Sequence, residues 1–160
     1  MYRLRDFLMF SPRTYNRLFE HYNHDVWPLQ LLALAVGIVI LIRPRVTAPL
    51  LAIAWLWVAY AFFWQRFSTI HTFAKWFAIA FAVEALLLCL YRGTSRAALV
   101  LFAVVLFVYP IIPPRHEMFG IAPDPTALGT LLLAARWRER VIPILWCAFS
   151  AAMLLAMAMR

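Results

Sequence analysis

The chain has 160 residues, 66% of them hydrophobic and only 14% charged, with a mean hydropathy of +0.80. Soluble domains average about 45–50% apolar and about 25% charged residues, and a small water-soluble fold leaves too much surface exposed to hide such an excess. An ordinary soluble domain is therefore excluded. The formal net charge of +8 does not point to nucleic acid either, because the basic residues punctuate long apolar runs, the pattern of loops that flank membrane spans and meet anionic lipid.

Residues 1–26 form an amphipathic segment. Ser11 and Pro12 make a helix start, serine as N-cap and proline at the first helical position. Tyr15, Leu18, Phe19, Tyr22 and Val26 then recur at helical spacing. Such a helix is expected to lie in the membrane interface with its aromatic side toward the lipid tails. Trp27 and Pro28 mark the turn into the bilayer. No cleavable leader is read in this segment, so the first apolar run is expected to serve as an uncleaved insertion signal.

Apolar runs follow at about residues 27–42, 46–64, 72–91, 97–113 and 141–159, each near the ~17–25 residues that cross about 30 Å of hydrocarbon. Between the last two lies a shorter run, residues 125–137, which reads either as a thin span or as a re-entrant half-helix. Counting it as a span gives an all-α, polytopic transmembrane bundle of about six spans, the fifth short, in a single domain over residues 1–160. The short loops after the first, third and fifth spans then share one side and carry seven arginines, Arg43, Arg45, Arg92, Arg96, Arg136, Arg138 and Arg140, which assigns that side to the cytoplasm.

The same topology sends His21, His24, Asp25, His71 and His116 to the opposite side, with Glu117 and Asp124. Imidazoles and carboxylates together are ligands for zinc, copper or iron, and histidine also holds haem. Polar side chains excluded from the apolar core collect at interfaces without any ligand, and no HExxH or CxxC spacing is present. Cys89 and Cys147 lie in apolar runs and read as small buried hydrophobes.

Two ionisable residues fall in the third run. Lys75, near its start, can snorkel to the interface. Glu84 lies deeper, where a carboxyl normally faces a bundle interior or a water-filled cavity; proton exchange, cation coordination and a hydrogen-bonded neutral acid are all open. In Phe119-Gly120-Ile121-Ala122-Pro123-Asp124-Pro125-Thr126, Asp124 reads as an N-cap and Pro125 as the first helical residue. If that helix starts within the membrane, Asp124 and Thr126 stand at a broken-helix site of the kind transporters use; ordinary capping explains them equally. The aromatic run Trp55, Trp57, Tyr60, Phe62, Phe63 and Trp64 suits either an interfacial girdle or a flat cofactor such as a quinone or haem. No catalytic set is evident, and no cofactor is specified.

The blocks Phe10-Ser11-Pro12-Arg13-Thr14-Tyr15, Tyr22-Asn23 with Trp27-Pro28, Ala54-Trp55-Leu56-Trp57-Val58-Ala59-Tyr60, Phe119 to Ala127 and Ile144-Leu145-Trp146-Cys147 resemble, in order, an uncharacterised family of short bacterial multi-pass membrane proteins. The resemblance implies a compact inner-membrane protein and transfers no catalytic role. Three functions follow as expectations: binding or moving a small solute or ion, an accessory or assembly subunit beside a membrane-protein partner, or metal or haem handling. The lipid bilayer is the expected partner in each, and nucleic acid is not. Single-cysteine reporters placed after residues 44, 94 and 138 should label from the same side of the membrane; labelling from opposite sides would refute the six-span topology.

Overall fold

The structure, a computed structural model, describes residues 10–90 and 94–159. Residues 1–9 of the amphipathic segment and Arg92 of the second basic loop lie outside the described residues. Among those described, seven α-helices and no strands occur: α1 (Pro12–Asp25), α2 (Leu29–Ile42), α3 (Thr47–Trp57), α4 (Ala74–Leu88), α5 (Arg96–Val108), α6 (Pro123–Leu133) and α7 (Val141–Ala158). The all-α class expected from the periodicity is therefore present.

Local chemistry sets several boundaries where the sequence places them. The Ser11 hydroxyl accepts from the Thr14 amide at 3.1 Å, with Pro12 in the first turn. Ser95 caps α5 in the same way through Ala98. α3 does not stop at Trp57 but continues as a π-helical segment, Val58–Trp64. This wider winding keeps Val58, Ala59, Phe62 and Phe63 on the buried side. α3 and its extension pack along α4, while α5 and α7 both pack on α6.

Two helical stretches, Pro44–Thr69 and Trp137–Ala158, are long and apolar enough to cross a membrane, or three if α1 and α2, bent by 86°, count as one. Six spans of full length are thus not supported. The remaining apolar runs are cut short by their own caps and turns. α2 has 14 residues, α4 15, α5 13 and α6 11, which at 1.5 Å per residue gives rises of about 16–22 Å against the roughly 30 Å of hydrocarbon.

A second expectation is corrected at α1. Its aromatic stripe does not turn toward lipid: Tyr15, Phe19 and Tyr22 are buried against the protein. Phe19 and Tyr22 lie 5.1 and 5.4 Å from Phe62, and Phe67 stacks at 5.8 Å from the same ring. Helical spacing identifies an apolar stripe but not what covers it; here the end of the α3 stretch supplies rings enough to do so. The aromatic run 55–64 is likewise divided: Trp55, Phe62 and Phe63 are core, whereas Tyr60 and Trp64 are exposed. Cys89 is exposed and Cys147 half-buried, so Cys89 does not take the buried place expected of it.

Gly129 of α6 fits where two buried rings converge. A Cβ there would sit 3.0 Å from both Phe102 and Phe119, and both rings are fully buried. Gly129→Ala should therefore lower stability by about 1–3 kcal/mol through overpacking, read as a lower thermal midpoint in detergent; an unchanged midpoint would show that the α5–α6 contact is looser than described.

Candidate functional site

The segments expected on the non-cytoplasmic side do converge. Tyr22 donates its hydroxyl to the Ile121 carbonyl at 3.0 Å and itself accepts from Trp57 Nε1 at 3.1 Å. Asn23 donates to the Arg115 carbonyl at 2.9 Å, and Arg66 pairs with Asp25 at 2.6 Å. α1, the turn after the π-helical segment and the loop before α6 are thereby tied together. Each element ends in polar residues because its apolar run ends there, so the polar groups meet at one end of the bundle.

Beneath this surface lies a buried charge cluster. Arg115 Nη1 sits 2.8 Å from Glu117 Oε1 and 3.5 Å from Asp124 Oδ2. Its guanidinium lies 5.5 Å over the rings of both Tyr15 and Phe19, within cation–π range. Asp124 Oδ1 accepts from Trp146 Nε1 and Oδ2 from Ser150 Oγ, each at 2.8 Å. One cation thus faces two carboxyl groups where little water reaches. Burial pushes the Glu117 carboxyl well up, and the Asp124 charge adds to this against the pull of Arg115. That direction moves the cluster toward neutrality, which burial favours. Beside it lies a cavity of ≈ 80 Å³ lined by Tyr109, Ile112, Pro113, Arg115 and Glu117.

Asp124 does not cap α6. The N-cap position belongs to Ala122, Pro123 occupies the first turn, and Asp124 is already helical. With proline at both 123 and 125, the helix starts two residues earlier than a serine-like capping role for Asp124 would put it, which frees the carboxylate to face α7. Thr126 is equally occupied: it donates to the Ala122 carbonyl at 2.6 Å and accepts from the Gly120 amide at 2.8 Å. Gly120 has φ 81°, a conformation natural for glycine. Thr130 continues the line, donating to the Thr126 carbonyl and accepting from Trp55 Nε1, both at 2.8 Å. Asp124 and Thr126 therefore act as internal ties between α6, α7 and the preceding loop.

The histidines are not assembled into one set. His24 Nδ1 lies 3.5 Å from the carboxylate of its neighbour Asp25. His71 stacks on Phe67 at 5.1 Å and is surrounded by Phe10, Phe73, Phe77 and Phe149; burial holds its imidazole below the usual histidine range. His116 faces the Pro110 carbonyl at 3.1 Å, and His21 lines a surface groove. No group of three or more His, Cys, Asp or Glu able to hold a metal occurs among the described residues.

Glu84 stands apart from all of this. It is fully buried, and neither carboxylate oxygen has a hydrogen-bond partner among the described residues. Glu139, in the turn Trp137–Glu139, is also buried, leaves Oε2 unpartnered and lies close enough to act on Glu84 electrostatically. That turn packs against α4. Arg140, which follows Glu139 in sequence, instead directs Nε and Nη2 to the Ala134 carbonyl at 2.8 and 2.6 Å. Arg136 Nη1 is 3.5 Å from the Leu90 carbonyl, so Arg136 and Arg140 both face backbone oxygens. Glu139 was missed in the sequence because it sits in a run of arginines, where an ordinary surface ion pair is the obvious reading.

Removing the Asp124 carboxylate should act on the fold. Asp124→Ala leaves Arg115 with one partner and strands the Trp146 and Ser150 donors, a loss of about 3–5 kcal/mol, while Asp124→Asn keeps an acceptor oxygen and should recover part of it. Thermal midpoints in detergent check both; an Asp124→Ala protein as stable as wild type would remove Asp124 from its place as a tie.

Comparison of the chain with protein-family models, with curated proteins and with solved structures returns no match.

Proposed function

We propose that this chain is a multi-pass protein of the bacterial inner membrane that binds, and on binding passes across the bilayer, a proton or small cation at Glu84. The observation that carries the reading is the buried, unpartnered Glu84 carboxyl, with a second buried acid, Glu139, on a turn packed against the same helix and near enough to act on it electrostatically. Two buried carboxyl groups that act on one another where water is scarce cannot both stay charged without a counter-charge. No described cation forms an ion pair with either, so a bound proton or cation is the neutralising species this arrangement favours.

The finer placement supports the same reading. α2, α4, α5 and α7 expose large apolar side chains such as Leu31, Ile79, Val104 and Leu155, a belt suited to lipid. On this proposal the short helices complete their crossings through flanking turns, giving six crossings with the arginine-rich loops in the cytoplasm. Glu139 then opens at the cytoplasmic side and Glu84 lies one step deeper. The bacterial inner membrane comes from the family resemblance together with the seven arginines of the short loops on one side, against Arg66 and Arg115 in the loops opposite.

Proteoliposomes test the assignment with a pH-sensitive dye inside and an imposed proton or monovalent-cation gradient. Wild type should dissipate the gradient faster than empty vesicles. Glu84→Gln, which keeps shape and removes the ionisable group, should slow it at least about tenfold, a loss of about 1.4 kcal/mol of transition-state stabilisation, with a thermal midpoint equal to or above wild type. Wild-type vesicles no faster than empty ones, or Glu84→Gln as fast as wild type, would overturn it.

A further inference from the structure

A polar groove of ≈ 620 Å³ runs between α1 and the end of the Pro44–Thr69 stretch, lined by Thr14, Arg17, Leu18, His21, Gln65, Arg66, Thr69 and Ile70. Two arginines face it, and none of its described lining residues is acidic. On α1 itself the carboxylates are Glu20 and Asp25, and Asp25 is already paired with Arg66 at 2.6 Å. That pair anchors one end of the Arg66 guanidinium and leaves its remaining donors for another acceptor. Arg17 is exposed, and no ion pair joins it to a described acid.

Depth is set by the helices on either side. The 86° bend between α1 and α2 lays α1 across the ends of the membrane helices. Residues 65–70 are the terminal turns of a stretch long enough to cross the membrane, so the groove opens at the level where hydrocarbon gives way to headgroups. Aromatic side chains mark the same level: Trp64 and Trp27 are exposed, and the Lys75 ammonium sits 5.3 Å over the Trp64 ring. Trp and Lys favour this depth. Leu18 and Ile70 give the groove apolar walls beside its arginines, as a glycerol and the root of an acyl chain would require.

We propose that this groove is a binding site for the phosphate headgroup of an acidic phospholipid, with Arg17 and Arg66 as its two cationic contacts. Arginine suits this because its planar fork donates two hydrogen bonds to phosphate oxygens. Thr14, Gln65 and Thr69 border the same space and complete a polar lining for the headgroup. The site rests on the placement of the chain in a membrane and not on the Glu84 reading, so either can fail alone.

The test is native mass spectrometry of the full chain in detergent, titrated separately with phosphatidylglycerol, phosphatidylcholine and inorganic phosphate. Wild type should retain phosphatidylglycerol more tightly than phosphatidylcholine, and millimolar inorganic phosphate should not displace it. Arg17→Gln, which breaks no described ion pair, should weaken phosphatidylglycerol about fivefold, as loss of one charge near the surface implies. Arg17→Gln with Arg66→Gln should weaken it further, while Arg43→Gln on the opposite basic loop should not. Each variant's thermal midpoint is read alongside, and if the double variant unfolds the single Arg17→Gln decides. Equal retention of the two lipids, displacement by inorganic phosphate, or wild-type affinity in Arg17→Gln would each overturn the proposal.

Discussion

The Asp124 carboxylate is the contact on which the rest of the buried end depends. It accepts from Trp146 and Ser150 of α7, faces Arg115 of the preceding loop and is carried by α6. In a chain this apolar there are few polar contacts to choose from, and one that is fully desolvated costs several kcal/mol if left unmatched. Its two oxygens therefore fix α7 against α6 and hold the loop in place. Arg115, positioned by that loop, reaches under α1 to the faces of Tyr15 and Phe19. Helix packing by shape alone leaves rotation and sliding weakly specified, and directional bonds at one buried carboxylate remove that freedom.

Around this polar tie the protein is held by aromatic rings. Phe63 meets Phe81 at 4.6 Å and Trp146 at 4.9 Å, and Trp55 meets Phe81 at 4.2 Å. Aromatic pairs contribute about 0.5–1.5 kcal/mol each beyond their buried area. Lipid tails are as apolar as a protein core, so packing contacts and directional bonds, more than hydrophobic burial, hold helices together in a bilayer. The π-helical winding at Val58–Trp64 serves this arrangement by bringing Val58, Ala59, Phe62 and Phe63 onto one side.

The two ends of the bundle use acidic residues in opposite ways. At one end the described buried carboxyls have a cation or donors, Glu117 with Arg115 and Asp124 with Arg115, Trp146 and Ser150, and the exposed Asp25 pairs with Arg66. At the other, Glu84 and Glu139 are buried without an ion pair among the described residues, although arginines flank Glu139 in sequence. Arg115 supplies a fixed counter-charge at the first end; at the second, on the function proposed above, a bound proton or cation takes that part. A purely architectural acid is best accommodated with partners, as Asp124 is.

Composition and periodicity by themselves determined that the chain is all-helical and belongs with lipid, that Ser11-Pro12 starts a helix, and that Glu84 is a carboxyl set deep among apolar residues. These follow from local rules: the spacing of apolar side chains, the capping chemistry of serine and proline, and the cost of charge in hydrocarbon. Tertiary structure decided what those rules do not reach. Asp124 looked like a cap, yet it is an internal acceptor, because its partners Trp146 and Ser150 lie 22 and 26 residues away. The stripe of α1 looked lipid-facing, yet it is buried, because rings of a later helix cover it. The histidines looked able to gather, yet His71 is enclosed by phenylalanines and His116 turns to a carbonyl. Glu139 drew no notice among the arginines around it in sequence, yet it is buried and near enough to Glu84 to act on it electrostatically. In each case the residue type was legible and the partner was not, since a partner brought by long-range packing leaves no mark in local spacing.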